Sequence, residues 1–562
     1  GGADAPPPPP DIPQVRLTGG SPFADGCEGV AGAGTAYVGS EVEPHVAAHP
    51  GNPAHLVAAW QQDRWSSGGA RGLRSAASFD GGRSWTASAA AFSLCTGGSA
   101  ALGTDFQRAS DPWVTIGPDG VAHQIAIAFS GVAQTAGSVN AVLASRSPDG
   151  GLNWEPPVTL IRDEGVPFND KESITADPLD PRYVYAVWDR LADNRGPIWF
   201  ARSIDGGRTW ERARPIHDPG LARQTINSQL VVLPEGALVV FFTRLVLVGT
   251  FAQATLMTIR SSDRGATWSE PSVLSIVQSR GTRDPDSGTL VRDATNLGTI
   301  AAGRNGQLAA VWQDSRFTNG ARDAIALARS LDGGLTWTTP VRINAIPDVP
   351  AFVPSVAIRD DGAIGVTYHD FRDNTPAAGL PTSLWLARTD DGVIWRETRL
   401  AGPFDLAQAP SANGLFLGDY TGLAAPGGAF VPVYATAQSA SLGDTTDVYA
   451  SLASAATGTA ASKSSRSRPS SGTSPRASVL DSRHGFPATA HNRNWLAGRS
   501  GAFSPVAAVQ ICPFGASTST SVSPPPLTAT CVRGRFSAFA WRCAAWSCWR
   551  STIRRVRTAS GW

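Results

Sequence analysis

An all-β fold made of repeated four-stranded sheets is predicted by three observations. An octet ending in tryptophan recurs along the chain, strand–turn–strand units recur at matching intervals, and the composition is rich in turn formers and aromatics. The 562 residues include 59 Gly, 42 Pro and 18 Trp, with 42% hydrophobic and 17% charged residues. That content supports a large buried core punctuated by many tight turns. The most apolar run, 237–250, is interrupted by Arg244 and is too short to span a bilayer.

The chain opens on GGADAPPPPP, whose prolines impose an extended, solvated spacer over residues 1–11. This opening reads as the start of a mature or truncated chain from which any signal peptide is gone. IPQVRLT (12–18) reads as a strand. The octets follow: SFDGGRSW (78–85), SPDGGLNW (147–154), SIDGGRTW (203–210), SSDRGATW (261–268) and SLDGGLTW (330–337), with a shortened TDDGVIW at 389–395. Their aspartates, Asp80, Asp149, Asp205, Asp263, Asp332 and Asp391, stand 69, 56, 58, 69 and 59 residues apart, a length that suits one four-stranded sheet per repeat. The residue types explain the turn. Asp and Ser bond backbone N–H groups locally, Gly supplies positive φ, and Trp lays a large apolar face beside the sheet.

Before each octet lies a pair of strands about a Gly-containing or Asp-containing turn. Examples are DPWVTIGPDGVAHQIAIAF (111–129), SQLVVLPEGALVVFFTR (228–244) and SVAIRDDGAIGVTYHD (355–370). PHVAAHPGNPAHLVAAWQQD (44–63) opens the series, and FLGDYTGLAAPGGAFVPVYAT (416–436) with TDVYASL (446–452) closes it without an octet. Seven such units predict seven blades in a ring over residues 12–455, the last completed by residues 12–18. Six blades is the runner-up, because there are six octets. Radial repetition leaves only short, protected strand edges.

The octet resembles the Asp-box, or bacterial neuraminidase repeat, and the chain is thereby similar to sialidase-type β-propellers. The resemblance implies octet turns joining third and fourth strands on one face, with no catalytic part for their aspartates. It implies that the opposite face carries the site. That face would collect the second-strand endings WQQDR, WDR, FTR, WQDSR and YHDFR with the first-strand openings EPH, RASDPW, NDKES and GDYTG. Arg64, Arg108, Arg190, Arg244, Arg316 and Arg372 are thus the candidate substrate-binding residues, because guanidinium geometry matches a sugar carboxylate. Family chemistry implies a tyrosine nucleophile activated by a glutamate, with an aspartate as general acid/base. Tyr420 or Tyr368, Glu172 or Glu43, and Asp63 or Asp111 fill those parts by position. Where sialidases carry Arg-Ile-Pro, this chain has DIPQVRL (11–17). Two other readings of the same face stand beside this one: Asp–Arg pairs that lock neighbouring blades, and a structural calcium among the aspartates. No cofactor is required by the implied chemistry.

The function expected is that of a secreted, extracellular or periplasmic, sialidase-like glycoside hydrolase, monomeric and acting on carbohydrate. The alternative is a non-catalytic propeller that binds glycan or protein. Cys27 and Cys95, the only cysteines before residue 500, read as one disulfide, with two unrelated thiols as the alternative. The histidines show no metal-ligand spacing, and P-loop, dinucleotide and nucleophile-elbow motifs are absent. Residues 456–562 hold 14 of the 47 basic residues and one of the 46 acidic ones, Asp481. This Ser/Arg/Pro-rich tail reads as a disordered or non-native extension, with a small disulfide-bearing domain as the alternative. Nothing beyond its charge suggests nucleic acid.

Overall fold

The structure, a computed structural model, describes residues 12–29, 34–248, 251–438 and 445–454. The spacer 1–11 and the tail from 456 lie outside the described residues. The protein is all-β, its helical content among those residues limited to four short 3-10 turns. None of their helices is long and apolar enough to cross a membrane.

Apart from the short parallel pair of Arg195–Gly196 with Arg223–Gln224, the strands pair antiparallel in seven consecutive units of four. Unit one comprises Glu41–His49, Asn52–Arg64, Ala70–Ser78 and Thr86–Ser88; unit two Arg108–Ile116, Ala122–Ser130, Val139–Ser147 and Val158–Glu164. Unit three comprises Phe168–Ala176, Val184–Leu191, Ile198–Ser203 and Arg214–His217; unit four Arg223–Val232, Leu238–Val248, Phe251–Ser261 and Ser272–Ile276. Unit five comprises Gly298–Ala302, Leu308–Asp314, Ala324–Ser330 and Val341–Arg342; unit six Ala351–Ile358, Ile364–Asp370, Pro381–Thr389 and Arg396–Asp405. In unit seven, Gly422–Ala424, Ala429–Ala437 and Thr446–Ser451 are joined by the N-terminal strand Gln14–Arg16, which pairs with Tyr449–Ser451. Units one and two merge into one eight-stranded sheet through the single pair Ala70–Ala109. The first strand of each unit packs beside the first strand of the next, and that of unit seven packs beside that of unit one.

Apolar side chains fill the layers between neighbouring sheets. Tyr185, Val187 and Phe200 of unit three meet Leu230, Val240 and Phe242 of unit four, and Val311 and Leu327 of unit five meet Val356 and Val366 of unit six. The tryptophans that end the second strands, Trp60, Trp188 and Trp312, are buried, and truncating a ring of that size costs about 3–5 kcal/mol.

Each octet forms the turn between the third and fourth strands of its unit. In the first, Ser78 Oγ donates to Asp80 Oδ1 at 2.9 Å and accepts from the Gly82 N–H at 2.8 Å. Asp80 then accepts from the backbone N–H groups of Arg83 and Ser84, both at 2.9 Å, and from Ser84 Oγ at 2.6 Å. Gly81 and Gly82 hold φ of 77° and 89°, the left-handed region that glycine enters without strain. The fourth octet puts Arg264 at φ 57° instead. Its guanidinium stacks 3.9 Å from the Tyr183 ring and donates to Asp180 at 3.0 Å, contacts that offset the backbone strain.

A second repeated device lies in the first strands. Pairing skips between Val42 and His45, Ser110 and Trp113, Asp170 and Ser173, Ile226 and Gln229, and Phe352 and Ser355. Inside these bulges Glu43, Asp111, Lys171, Asn227 and Val353 have φ between 49° and 65°. Non-glycine residues pay strain to hold that conformation, and a bulge re-aims its side chain out of the alternating pattern.

Candidate functional site

The bulged first strands of units one to three bring charged groups together. Lys171 Nζ lies 2.8 Å from Asp419 Oδ2, 3.4 Å from Asp111 Oδ2 and 3.5 Å from Glu43 Oε1. All four residues are buried. Glu43 also accepts hydrogen bonds from the Asp419 N–H at 3.1 Å and from Gln61 Nε2. Arg292, from the long connection between units four and five, grips Asp419 bidentately, with Nε 2.9 Å and Nη2 2.5 Å away. That connection is held by backbone bonds to residue 415 of the unit six–seven connection. Arg292 and Arg64 both stack on Phe416, at 4.3 and 4.9 Å from its centroid.

Beside this cluster, Asp111, Trp113, Lys171, Glu172, Ser173, Asn227, Ser228, Gln229 and Tyr420 line a small pocket. Trp113 stacks on His45 at 3.8 Å and meets the edge of Tyr420 at 5.5 Å. The carboxyl groups here differ sharply. Glu172 finds no hydrogen-bond partner in another residue for either oxygen, and burial, then the Asp111 charge, pushes its pKa well above the carboxylate range. Burial raises Glu43 to about 7 against the attraction of Lys171. Burial also acts to raise Asp419, but Arg292 and Lys171 overcome it and hold that group well below its usual value. One pocket thus combines a carboxyl kept protonated with carboxylates paired to cations, the contrast that acid–base chemistry uses.

The sequence-selected residues fall into three groups. Glu43, Asp111, Glu172 and Tyr420 come together. Tyr420 does so as a buried phenol whose hydroxyl donates to the Pro112 carbonyl at 3.1 Å. Its pKa is driven well up by burial, then by the charges of Glu43, Asp111, Glu172 and Asp419, the opposite of what activates a phenol nucleophile. Asp63 is engaged elsewhere. It accepts from Ser21 Oγ at 2.5 Å and the Gly39 N–H at 3.0 Å, and pairs with Arg71 at 3.2 Å. Tyr368 is buried and donates to Glu397, and Arg372 bonds both and Asp370 while stacking 3.7 Å from Trp385.

The arginines divide the same way. Arg190 is bidentate to Asp163 at 2.7 Å, tying unit three to unit two, and Arg316 is bidentate to Asp314 at 2.8 Å. Arg108 bonds Ser67 Oγ and the Gly68 carbonyl, both at 2.9 Å, and stacks on Trp65. Arg244 has its Nε buried without a partner. Arg64 is 2% exposed, donates to Gln61 Oε1 at 2.6 Å, and makes no ion pair among the described residues. Burial, then the Arg292 charge, lowers its pKa to about 10.

Cys27 and Cys95 form a disulfide with Cα atoms 4.9 Å apart, holding the N-terminal segment beside Arg71. Among the described residues, ligand atoms of three metal-binding side chains converge only at Cys27, Glu28 and Cys95, whose sulfurs are bonded to each other. The Lys171 ammonium stands among the carboxylates of Glu43, Asp111 and Asp419. Lys171, Gln61, Arg292 and Phe416 escape the sequence reading. Lys171 alone carries a usable signal, since it holds the bulge position that Glu43 and Asp111 hold in units one and two.

Residues 197–294 match the family described as BNR repeat-like domain. A xyloglucanase of Acetivibrio thermocellus is 25% identical over 231 residues, 39% of this chain and 25% of that enzyme. The chain therefore spans about a quarter of the length of the curated relative it matches. Among solved structures, a Hadza microbial sialidase is similar with a TM-score of 0.41 and 15% identity over 71% of this chain and 76% of its own. An α-L-arabinanase of Penicillium chrysogenum aligns with a TM-score of 0.42 and 13% identity over 80% and 99%. An α-L-arabinofuranosidase of Fusarium graminearum aligns with a TM-score of 0.39 and 14% identity over 62% and 93%. The BNR repeat-like match is confined to residues 197–294, and the solved structures are similar at low identity.

Proposed function

We propose that the seven units are the blades of one propeller, that the octets are Asp-box turns, and that the chain is a secreted glycoside hydrolase acting on acidic carbohydrates, sialic-acid conjugates first. The observation that carries the reading is the Glu172 carboxyl, buried and unpaired in a pocket it shares with Asp111, Lys171 and Tyr420. A protonated carboxyl of that kind is the general acid that glycosidic cleavage needs, and Asp111 is the second carboxyl. The acid–base work passes to this pair rather than to the Tyr420 phenol. Arg64, which makes no ion pair among the described residues, is the arginine left to receive the anionic group of the substrate, since Arg292 is committed to Asp419. Arg190, Arg316 and Arg372 lock blades and blade rims.

The test is hydrolysis of fluorogenic sialosides by the full chain, with arabinofuranosides and xyloglucan oligosaccharides as comparison substrates. Turnover of the acidic sugar that Glu172→Gln reduces at least about 100-fold, in a variant that stays folded, supports the reading. Absence of turnover on the acidic sugars, or turnover indifferent to Glu172→Gln and Asp111→Asn, overturns it. The second reading, a non-catalytic glycan-binding propeller, is favoured by the burial of Glu43, Asp111, Lys171, Glu172, Asp419 and Tyr420. Glycan-array binding without hydrolysis would select it.

A further inference from the structure

The ammonium of Lys171 sits where the first strands of three units and the segment before a fourth converge. Glu43 comes from unit one, Asp111 from unit two, Lys171 from unit three, and Asp419 from the approach to unit seven. Chain separation between Lys171 and Asp419 is 248 residues, so their contact exists only because the first strands gather side by side. Three carboxylates brought together without a cation repel one another and bear the full cost of leaving water. Proteins relieve that cost with a hard cation held by oxygen ligands, or with a side-chain cation.

We propose that Lys171 is the built-in cation of the convergence: its ammonium does for Glu43, Asp111 and Asp419 what a bound divalent ion does in a carboxylate cage. Four observations support this. The ammonium approaches one oxygen of each carboxylate within 3.5 Å. Lys171 is buried, so water does not screen the attraction. It occupies the same strained bulge position as two of its three partners, at φ 51° beside 53° and 55°, so the device that aims the carboxylates also aims the ammonium. Burial opposes its charge, yet the charges of Asp111, Asp419 and Glu43 raise its pKa overall, so it remains an ammonium. Glu172, next in sequence, shares none of these contacts. Lys171 is accordingly a positioning residue: it gathers three carboxylates and leaves the fourth carboxyl free to face the pocket. This holds whether or not the pocket is catalytic.

The experiment needs no substrate. Thermal midpoints and terbium luminescence, sensitised by Trp113 and Tyr420 close by, are measured for the full chain, Lys171→Ala and Lys171→Arg. Wild type should keep one midpoint in EDTA and in millimolar Ca²⁺. Lys171→Ala should melt several degrees lower in EDTA, recover on adding Ca²⁺, and gain a saturable Tb³⁺ signal that Lys171→Ala/Asp419→Asn loses. Lys171→Arg retains a cation and should ignore Ca²⁺ as wild type does. A Lys171→Ala protein as stable as wild type in EDTA overturns the proposal, as does one that Ca²⁺ fails to rescue or that folds in neither medium. Wild type that loses stability in EDTA, with Tb³⁺ emission abolished by Asp419→Asn, also overturns it, because a metal then sits where the ammonium is placed.

Discussion

The octet turns and the converging first strands both rest on acidic side chains, and the two regions treat them oppositely. Asp80, Asp263, Asp332 and Asp391 sit in exposed turns. Hydrogen bonds from side chains and backbone N–H groups within a few residues lower each to about 2. Glu43 in the convergence is buried, as is Asp189 in the second strand of unit three, where Thr225 and Ser228 bond it; loss of water raises each to about 7. A turn that satisfies its carboxylate locally can be repeated anywhere along a chain. A convergence that buries carboxylates must import countercharge from distant strands, so it depends on the packing of separate units against one another.

The largest expected effect tests that dependence. Asp419→Ala removes the partner of both Lys171 and Arg292 and leaves a buried cation and a half-buried one under-compensated. It should cost about 3–5 kcal/mol in denaturant unfolding. A loss below about 1 kcal/mol would make the two regions equivalent and break the comparison.

Next comes pH. The unfolded Asp189 ionises above its ordinary value of 3.8, whereas the folded one stays protonated until about 7. Ionisation therefore favours unfolding increasingly as pH rises between those values, and the penalty is constant above them. Asp189→Asn keeps the shape without the proton. It should gain on wild type across that window, on the order of 2–4 kcal/mol by pH 8. Asp263→Asn should instead lose on wild type above pH 4, the difference closing as pH falls toward 2, because a depressed pKa stabilises only while the group is ionised. Melting curves at several pH values separate the two signs.

The turns should then behave as independent modules. Ser203 and Ser330 each accept from a glycine N–H, at 2.8 and 2.7 Å, two units apart. Ser203→Ala and Ser330→Ala should each cost about 1–2 kcal/mol, and the double variant should cost their sum within about 0.5 kcal/mol. Coupling well beyond that would show that turns communicate through the packed sheets.

The smallest effect concerns a buried group with no countercharge at all. Both ring nitrogens of His369 lack a partner, and burial lowers its pKa to about 3. It stacks on Phe352 at 5.4 Å. His369→Leu should raise stability by about 1 kcal/mol at neutral pH. The gain should grow as pH falls from 6.5 toward 3, where only the unfolded imidazole protonates.

Legibility follows the range of the interactions. The octets were readable because Ser78, Asp80, Gly82 and Ser84 complete their bonds within seven residues. The strand pairs were readable because alternation and turn residues are local. Tyr420, Glu172, Glu43 and Asp111 were found as residues facing one region, but their roles were not, since those depend on which cation each one meets. Arg190 and Arg316 looked like substrate ligands until Asp163 and Asp314 were seen to occupy them. Arg292 left no trace in the sequence, because it lies in a connection with no octet and no strand pattern.

By itself the sequence determined the all-β class, the repeat, the turn chemistry and the supply of acidic and basic residues at the strand ends. Only the tertiary structure decided that Lys171 faces Asp419, that neither Glu172 oxygen meets a hydrogen-bond partner in another residue, and that most of the rim arginines are already engaged. The physical reason is burial: a charge exposed in a turn answers to its near neighbours in sequence. A charge withdrawn from water answers to whatever the folded chain places within a few ångströms of it.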